Sequence, residues 1–342
     1  MARILLVGAG ALGSIENSYK RALSRLGARV DLFDVEKYRI GRLGGNALRR
    51  VIVKSLASMS RMRVAHAFGE YAKARGHEYD VVVVFKGMDF SPDILRRARA
   101  RCPNALWCNI NPDDPFNIRS PGSSNEDVVA AIPIFDLYCI WSESLVGRLR
   151  SAGSPRAEYL PFAYDAEAHR PPREPAVRRH DVCFVGGWDP AREGFLAAIG
   201  ERDIVVVGRG WDRVARGSPL RKKIVAANIY GQELASVISG ARLSINILRP
   251  QNRGSHNMRT FEIPAIGGLM VTTRSCEQER FFPEGIASLM FSSPEELCSC
   301  VRGALNRSDV DLQDLRSAGL ARAEGQSYDD RAAALLRMVR RR

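Results

Sequence analysis

The sequence predicts an α/β protein built from two Rossmann-like domains that face each other across a cleft. A strand, a glycine-rich turn, a helix and a second strand open the chain, and the same order returns near residue 181. The 342 residues are long for one domain and sufficient for two. Because strands alternate with helices in both halves, each half is expected to form a parallel, doubly wound sheet.

The first half contains five predicted strands with helical stretches between them. The strand RILLV runs into the turn VGAGALGS, and a helix follows from about Ser14 to Leu26, with Gly27 as its C-terminal cap. The run VVVVF is far too short to cross a bilayer and indicates a buried parallel strand. The strands are predicted at RILLV, at RVDLF ending at Asp34, at DVVVVF, at ALWCNI and at LYCIW.

The predicted domains cover residues 1–160 and 161–342, and the last helix is expected to pack back on the first domain. Residues 158–175 are rich in proline and lack apolar periodicity, which favours a linker. Strands of the second half are predicted at DVCFVGG, DIVVVGRG, LSINIL and LMVTT. In such sheets ligands bind beyond the carboxyl ends of the strands.

The first turn raises the alternative of an NAD-dependent oxidoreductase. Gly8, Gly10 and Gly13 have the spacing of a dinucleotide-binding turn, and Asp34 ends the second strand where a ribose-binding acid should lie. Against this alternative stand the second Rossmann-like half and the lack of an obvious His or Lys constellation for hydride transfer. We therefore expect the turn to line the cleft without a dinucleotide on it.

The most informative stretch is SHNMRTFEIPAIGGLMVTT. Pro264 fits a helix only near its first turn, so the helix should begin somewhere from Arg259 through Glu262 and end at the following glycine pair. A helix start offers free N–H groups and partial positive charge, and Arg259 adds a fork of donors, which together suit a phosphate. Glu262 can accept hydrogen bonds from two ribose hydroxyls. The alternative is a glutamate favoured by the helix dipole alone, with Arg259 as its surface ion partner.

Several motifs together resemble the CgeB-like glycosyltransferases of the GT-B fold, over nearly the whole chain. They are NMRTFEIPAIGG, FVGGWDPAREGFL, QSYDDRAAALL, YLPFAYDAEAHRP and NINPDDPFN. The resemblance implies a nucleotide-sugar donor on the second domain, an acceptor mostly on the first, and no metal requirement. It gives Glu262 the donor ribose, and Arg259 and Arg192 the diphosphate. Gly254 stands where the retaining pattern has a second glutamate, so the stereochemistry is open, as is the acceptor: glycan, lipid, protein or small molecule.

Further donor-side residues follow from the second glycine turn. Gly186 and Gly187 form this turn, and Arg192 should lie on the first turn of the helix behind it. A solvated helix arginine is the alternative for Arg192. Arg209 and Trp211, in VVVGRGWD, are candidates to flank the nucleobase, although Trp211 as a core residue is equally consistent with the pattern.

The candidate acceptor side consists of Gly8, Gly10 and Gly13 and the long polar loop at 110–127. Asp113 or Asp114 in this loop is a candidate base for an acceptor hydroxyl. The alternative is a turn without chemistry, because Asn-Pro-Asp-Asp-Pro is strong turn chemistry by itself.

The sequence predicts no cofactor and no metal site. The five histidines lack metal-ligand spacing, and the seven scattered cysteines, the lone pair Cys298 and Cys300 included, favour reduced thiols. Asp309 and Asp311 form an Asp-x-Asp string of the kind that binds metal in other glycosyltransferases. No strand precedes it, and Ser308 or Asp309 is a good helix cap, so a structural role is expected.

The net charge of +13 favours acidic partners. A nucleic-acid binder would rest on charge alone, because no stacking-aromatic motif is present. Residues 36–76 hold ten Lys or Arg against two Glu, among them Arg49, Arg50, Lys54, Arg61 and Arg63. This stretch indicates a solvated basic face, or a contact with anionic lipid or a phosphorylated acceptor. The start MARILL lacks a signal-peptide core, so a cytoplasmic protein is expected, at most peripheral to the inner membrane face.

Overall fold

The computed structural model describes residues 1–40, 49–120, 122–173, 179–200, 202–225 and 228–341, without the side chains of residues 49–55. The chain divides into two compact units. Unit 1 consists of Met1–Pro161 and Arg331–Arg342, and unit 2 of Phe162–Asp330. Each unit contains a parallel sheet with helices, so the predicted α/β class with two Rossmann-like halves is confirmed.

In the described part of unit 1, six parallel strands form one sheet in the order β2-β1-β3-β4-β5-β6. The order reverses at β1, which pairs with β2 on one side and β3 on the other. All five residues of β3 are buried, which is typical of a sheet covered on both faces. The strands are β1 (Arg3–Gly8), β2 (Arg29–Asp34), β3 (Val81–Phe85), β4 (Leu106–Asn111), β5 (Leu137–Ile140) and β6 (Ala157–Tyr159).

The helices of unit 1 that the structure describes are α1 (Ile15–Arg25), α2 (Arg49–Arg75), α3 (Pro92–Ala100), α4 (Glu126–Ala130) and α5 (Ser144–Ser151). The first helix begins and ends as predicted. The Ser14 hydroxyl accepts a hydrogen bond from the Asn17 N–H at 3.2 Å, and Gly27 follows the last turn with a φ of +84°. Only glycine adopts that backbone conformation without steric cost, which is why the helix ends there.

Unit 2 repeats the architecture, with six described strands in the order β12-β11-β10-β7-β8-β9. Side chains from β7, β10 and β11, among them Phe184, Leu243 and Val271, form the buried core of this unit. The strands are β7 (His180–Val185), β8 (Ile204–Val207), β9 (Ile224–Val225), β10 (Ala241–Asn246), β11 (Met270–Thr273) and β12 (Leu289–Phe291).

Two predictions about the helices of unit 2 are confirmed. Helix α8 spans Arg259–Ala265 and is followed by Gly267, which has a φ of +83°, and by Gly268, whose N–H donates to the Ile263 carbonyl. The Ser308 hydroxyl accepts a hydrogen bond from the Asp311 N–H, and the Asp311 carboxylate accepts one from the Ser308 N–H. The Asp-x-Asp string is therefore part of the N-terminal cap of α11. The described helices are α6 (Pro190–Ala197), α7 (Gln232–Ser239), α8 (Arg259–Ala265), α9 (Cys276–Phe281), α10 (Pro294–Leu305) and α11 (Asp309–Ala323).

The last helix, α12 (Tyr328–Arg340), starts in unit 2 and continues in unit 1. At its start the Tyr328 N–H donates to the Tyr164 carbonyl at 2.9 Å. At its end Arg156 donates to the carbonyls of Met338 and Arg341, both at 2.8 Å. The segment predicted as a linker, 158–175, contains the last two residues of β6 and the paired backbone of Tyr164, and Phe162 within it is buried.

Candidate functional site

Strand β7 of unit 2 ends in a tight glycine turn against the backbone that follows β8. A Cβ atom on Gly208 would stand only 2.0 Å from the Gly186 carbonyl oxygen, so the two backbones are in direct contact. The Trp211 indole N–H donates to the same carbonyl at 2.9 Å. The turn is therefore held in place by the backbone after β8 and by the buried Trp211.

Three arginines from different elements meet at this turn. Arg259 donates to the Val185 carbonyl at 3.2 Å, and Arg192 donates to the Gly187 carbonyl at 2.9 Å. A guanidinium nitrogen of Arg249, which follows β10, lies 3.4 Å from the position of a Cβ on Gly187. We call Val185–Gly187 with these three side chains the arginine turn.

Arg192 is not a solvated helix arginine, so that alternative is wrong. Its Nε and Nη2 donate to the Ile247 carbonyl at 3.2 and 2.9 Å, and its guanidinium lies 5.5 Å from the Phe184 ring centroid. Burial lowers the pKa of Arg192 to about 10, and the nearby charges of Arg249 and Arg259 contribute. The side chain thus stays protonated at neutral pH in a place where cations repel one another.

Arg259 and Glu262 form the ion pair of the alternative interpretation, but this pair is not at the surface. The two side chains are in ion-pair contact one helical turn apart, and they are 25% and 6% exposed. Burial lowers the pKa of Arg259 to about 10. His169 Nδ1 lies 3.8 Å from the second Glu262 oxygen. The structure therefore brings Arg192, Arg259 and Glu262 together at one end of the sheet.

Two of the amide groups at the start of α8 that were expected to be free already have partners. The Thr260 N–H donates to the side chain of Asn257 at 3.1 Å, and the Phe261 N–H donates to the Met258 carbonyl at 3.0 Å. Guanidinium groups are therefore the main donors for an anion at this place.

Of the two residues proposed to flank a nucleobase, Trp211 is a core residue. It is 1% exposed and packs edge-on against Phe184, so the alternative stated for it is correct. Arg209 is exposed, and its carbonyl accepts a hydrogen bond from the Trp188 N–H at 2.9 Å. Its predicted role at the base stays a prediction.

In unit 1 the first glycine turn is occupied by the protein's own carboxylates. The Ala9 N–H donates to Glu16 and the Gly10 N–H donates to Asp34, both at 2.9 Å. A Cβ on Gly10 would stand 2.3 Å from an Asp34 oxygen, so this glycine is required for the approach of Asp34. Asp34 also accepts from the Glu36 N–H at 3.0 Å. Asp34, the residue expected to bind a ribose in an oxidoreductase, thus accepts hydrogen bonds from backbone N–H groups instead.

A cavity of about 910 Å³ opens beside this turn, at the carboxyl ends of β1 and β3. Among the residues predicted for the acceptor side, Gly8 lines it, whereas Gly10 and Gly13 are not part of its described wall. Lys86 follows β3 with a φ of +61°, a strained backbone conformation for a residue with a side chain. Its ammonium group lies 2.5 Å from an Asp113 oxygen.

The two candidate base residues both contact cations. Besides its contact with Lys86, Asp113 donates its N–H to the Asn111 side chain at 3.0 Å. Asp114 accepts from the Phe116 N–H at 2.9 Å and lies 3.7 Å from Arg148. The predicted turn chemistry is therefore present, and a catalytic role for either carboxylate stays a prediction.

Within the described residues, no group of three or more His, Cys, Asp or Glu side chains is arranged to hold a metal ion. No helix in that part of the chain is long and apolar enough to cross a membrane. Much of the basic stretch, including the side chains of Arg49, Arg50 and Lys54, lies outside the described residues. Of the remainder, Arg61 pairs with Asp127 and Arg63 is exposed.

Three residues of these sites were not singled out from the sequence. Arg249 and Lys86 each follow a predicted strand directly, and this position at the carboxyl end of a strand is the signal that could have identified them. Glu16 lies on the first turn of α1, three residues after the last glycine of the turn.

Residues 192–337 match the model of a family described as glycosyl transferase-like. Sucrose-phosphate synthase from Thermosynechococcus elongatus shares the fold with a TM-score of 0.72 at 13% identity, covering 99% of this chain and 98% of that one. Anabaena HepE in complex with UDP and glucose has a TM-score of 0.67 at 12% identity, covering 99% of this chain and 100% of that one. The lipopolysaccharide outer core galactosyltransferase WaaB has a TM-score of 0.60 at 12% identity, covering 98% of this chain and 99% of that one. No curated protein sequence matches the chain.

The fold is therefore GT-B, as predicted. Residues 192–337 match a glycosyl transferase-like family, and this match bears out the prediction of an enzyme. The comparisons give no support to the oxidoreductase alternative.

Proposed function

We propose that the protein transfers a sugar from a nucleotide-diphosphate donor, and that the arginine turn of unit 2 holds the diphosphate. The meeting of Arg192, Arg249 and Arg259 around one turn carries this proposal. Three cations at one place repel each other, so the cluster gains stability when an anion binds between them. The position beyond the carboxyl ends of β7 and β10 is where ligands of such sheets bind.

The chemistry of transfer needs such a site. Negative charge builds on the diphosphate as the bond to the sugar breaks, and preorganised donors that face this charge lower the barrier. Guanidinium groups bind phosphate oxygens in a bidentate manner and stay protonated here. We therefore propose that arginines, without a metal ion, stabilise the leaving group.

The remaining assignments belong to the same proposal. Because HepE is described in complex with UDP, a UDP-sugar is the donor we propose, with Glu262 near the ribose and Arg209 near the base. The motifs quoted above support placement in the CgeB-like group. Unit 1 would take the acceptor, with Asp113 or Asp114 as the candidate base.

A peripheral contact with an anionic membrane face is also proposed for α2. Met59 and Met62 are exposed on this helix beside exposed Arg63. Apolar side chains next to basic ones are typical of helices that lie on anionic lipid.

Replacing Arg249 by alanine should weaken UDP binding about tenfold or more and leave the melting temperature unchanged. The side chain is exposed and makes no ion pair within the described residues, so its loss removes only the contact with the ligand. A hydrogen bond to a charged group contributes roughly 1.5–3 kcal/mol, and 1.4 kcal/mol corresponds to tenfold. Isothermal titration with UDP measures the affinity.

The matched control is Arg302→Ala, which removes an exposed arginine from the last turn of α10. This control lowers the net charge equally and should bind UDP like the wild type. Equal weakening in both variants would mean that general charge, and not the arginine turn, attracts the nucleotide.

UDP binding should also survive removal of metal ions. With EDTA present, we expect the dissociation constant to stay within about threefold of its value in manganese, roughly 0.7 kcal/mol. The reason is that guanidinium groups supply the positive charge that a divalent ion would otherwise bring. Binding that disappears in EDTA and returns with manganese would overturn this part of the proposal.

A further inference from the structure

The cavity of unit 1 lies where the strand order of its sheet reverses. Strand β1 pairs with β2 on one side and with β3 on the other, and Val7 and Phe85 at the ends of β1 and β3 line the cavity. Crevices at such a reversal point are the usual ligand sites of open parallel sheets. A cavity of about 910 Å³ is large enough for a sugar-sized molecule with a further group attached.

The wall beside the glycine turn presents a carboxylate. The Glu16 side chain lies against the end of β1, since a Cβ on Gly8 would stand 2.6 Å from its Cγ and Oε1. Its Oε1 accepts the Ala9 N–H, which is one of the amides that such a turn would otherwise offer to a phosphate. Asp34 holds the next amide, that of Gly10. A phosphate at this turn would face two carboxylates.

The described cations of the cavity wall are already paired. Arg39 is bound by Glu36 and Asp89, and Arg61 is bound by Asp127. The Lys86 ammonium group contacts Asp113 and the Gly122 carbonyl. Within the described residues Glu16, by contrast, makes no ion pair with any Lys or Arg. Among the described residues of this wall, Glu16 is therefore the carboxylate without a cation in ion-pair contact, although the charge of Arg39 also acts on it.

Much of the remaining wall is apolar. Val35, Ile40, Leu56, Met88 and Phe90 line the cavity together with the backbone of Gly87. A ligand that fills this volume buries apolar surface, which favours a molecule with an apolar portion.

We propose that this cavity binds the acceptor as an uncharged, hydroxyl-bearing molecule with an apolar portion, and that Glu16 accepts a hydrogen bond from one of its hydroxyls. The identification of the ligand as the acceptor rests on the proposed sugar transfer. The chemistry of the cavity does not, because it follows from the residues of its wall. A phosphorylated acceptor is disfavoured here.

The burial of Glu16 is consistent with its proposed role as a hydrogen-bond acceptor for the ligand. It raises the pKa of the Glu16 carboxyl above its ordinary value, which means that the ionised group lacks part of its hydration. A hydroxyl that enters the cavity restores a donor to this carboxylate and gains a charge-assisted hydrogen bond.

The test uses two probes that differ only at the 6-position, phenyl β-D-glucopyranoside and its 6-phosphate. Saturation-transfer NMR titrations of the full chain should show that the neutral probe binds at least tenfold more tightly than the phosphorylated one. Glu16→Ala should weaken binding of the neutral probe about tenfold. Glu16→Gln keeps an acceptor for the Ala9 N–H, so it should fold like the wild type and lose a smaller part of the affinity.

The matched control is Asp93→Ala. Asp93 is the second residue of α3, as Glu16 is of α1, but its side chain is 76% exposed. This variant should bind both probes like the wild type. A phosphorylated probe that binds as tightly as the neutral one, no binding of the neutral probe, or folded Glu16 variants of unchanged affinity would each overturn the inference.

UDP affinity is titrated in the same preparations and should be equal in all of them. If UDP fails to bind while the neutral probe binds through Glu16, the proposed sugar transfer is wrong, but the inferred ligand class of the cavity is supported. If UDP binds and the probes behave alike, only the cavity inference falls.

Discussion

Replacing Gly208 by alanine is expected to be among the most damaging single-methyl additions in unit 2. The new Cβ would stand 2.0 Å from the Gly186 carbonyl oxygen and 2.7 Å from its carbon. Because both positions are backbone, no side-chain rotation relieves the clash, and the two loops must separate. That separation breaks the hydrogen bond from Trp211 to Gly186 and displaces the arginine turn.

The expected cost is about 3 kcal/mol of the free energy of unfolding, at the upper end for overpacking. For a domain of this size that corresponds to a fall in melting temperature of roughly 6–12 °C. The affinity for UDP should fall at least tenfold, because the turn that gathers the arginines has moved.

Gly217→Ala is the control, since a Cβ at that glycine meets no atom within 4 Å. It should melt and bind UDP like the wild type. A Gly208→Ala variant with the melting temperature and UDP affinity of the wild type would mean that the contact between the two loops is not as described.

Arg259→Ala is expected to lower stability and nucleotide affinity together. The substitution leaves the Glu262 carboxylate, 6% exposed, without its guanidinium partner. Breaking a buried ion pair from one side costs about 3–5 kcal/mol, and the partial exposure of Arg259 points to the lower end of that range. UDP affinity should fall about tenfold, because a cation of the arginine turn is lost.

A double variant separates the two effects. Adding Glu262→Gln to Arg259→Ala removes the stranded charge, so most of the lost stability should return while UDP binding stays weak. Arg96→Ala is the control for stability, because Arg96 pairs with Asp93 at the same helical spacing but at the surface. Chemical denaturation and titration with UDP measure the two quantities. UDP affinity that recovers with stability would assign Arg259 a purely structural role.

Every strand that was predicted from the sequence spans four or more residues in the structure. The runs that became β1, β3, β7 and β10 contain four or more apolar or buried residues, and this makes them visible without a structure. Strands β6, β9 and β12 were not predicted, because they span only three, two and three residues at or near sheet edges. Such short segments pair because their neighbours position them, and their own sequence carries no periodic signal.

The candidate site was predictable in its residue types and less so in its contacts. A helix start within 259–262 followed from Pro264 and the glycine pair, whereas the pairing of Arg259 with Glu262 was only an alternative, and a surface one. The binding of Glu16 and Asp34 to the amides of the first glycine turn could not be predicted. Asp34 lies 24 residues from Gly10 and reaches it only through the pairing of β1 with β2. The spacing of three glycines predicts the conformation of the turn, whereas side chains outside the turn determine which groups its amides bind.

The path of α12 also fixes an order of events during synthesis. Unit 2 is complete in sequence at Asp330, whereas unit 1 still needs Arg331–Arg342. The carbonyls that Arg156 binds belong to this last segment of unit 1, so they are synthesised after the whole of unit 2. Domains fold as units as the chain grows. Unit 2 is therefore expected to have all of its residues available for folding before unit 1 does.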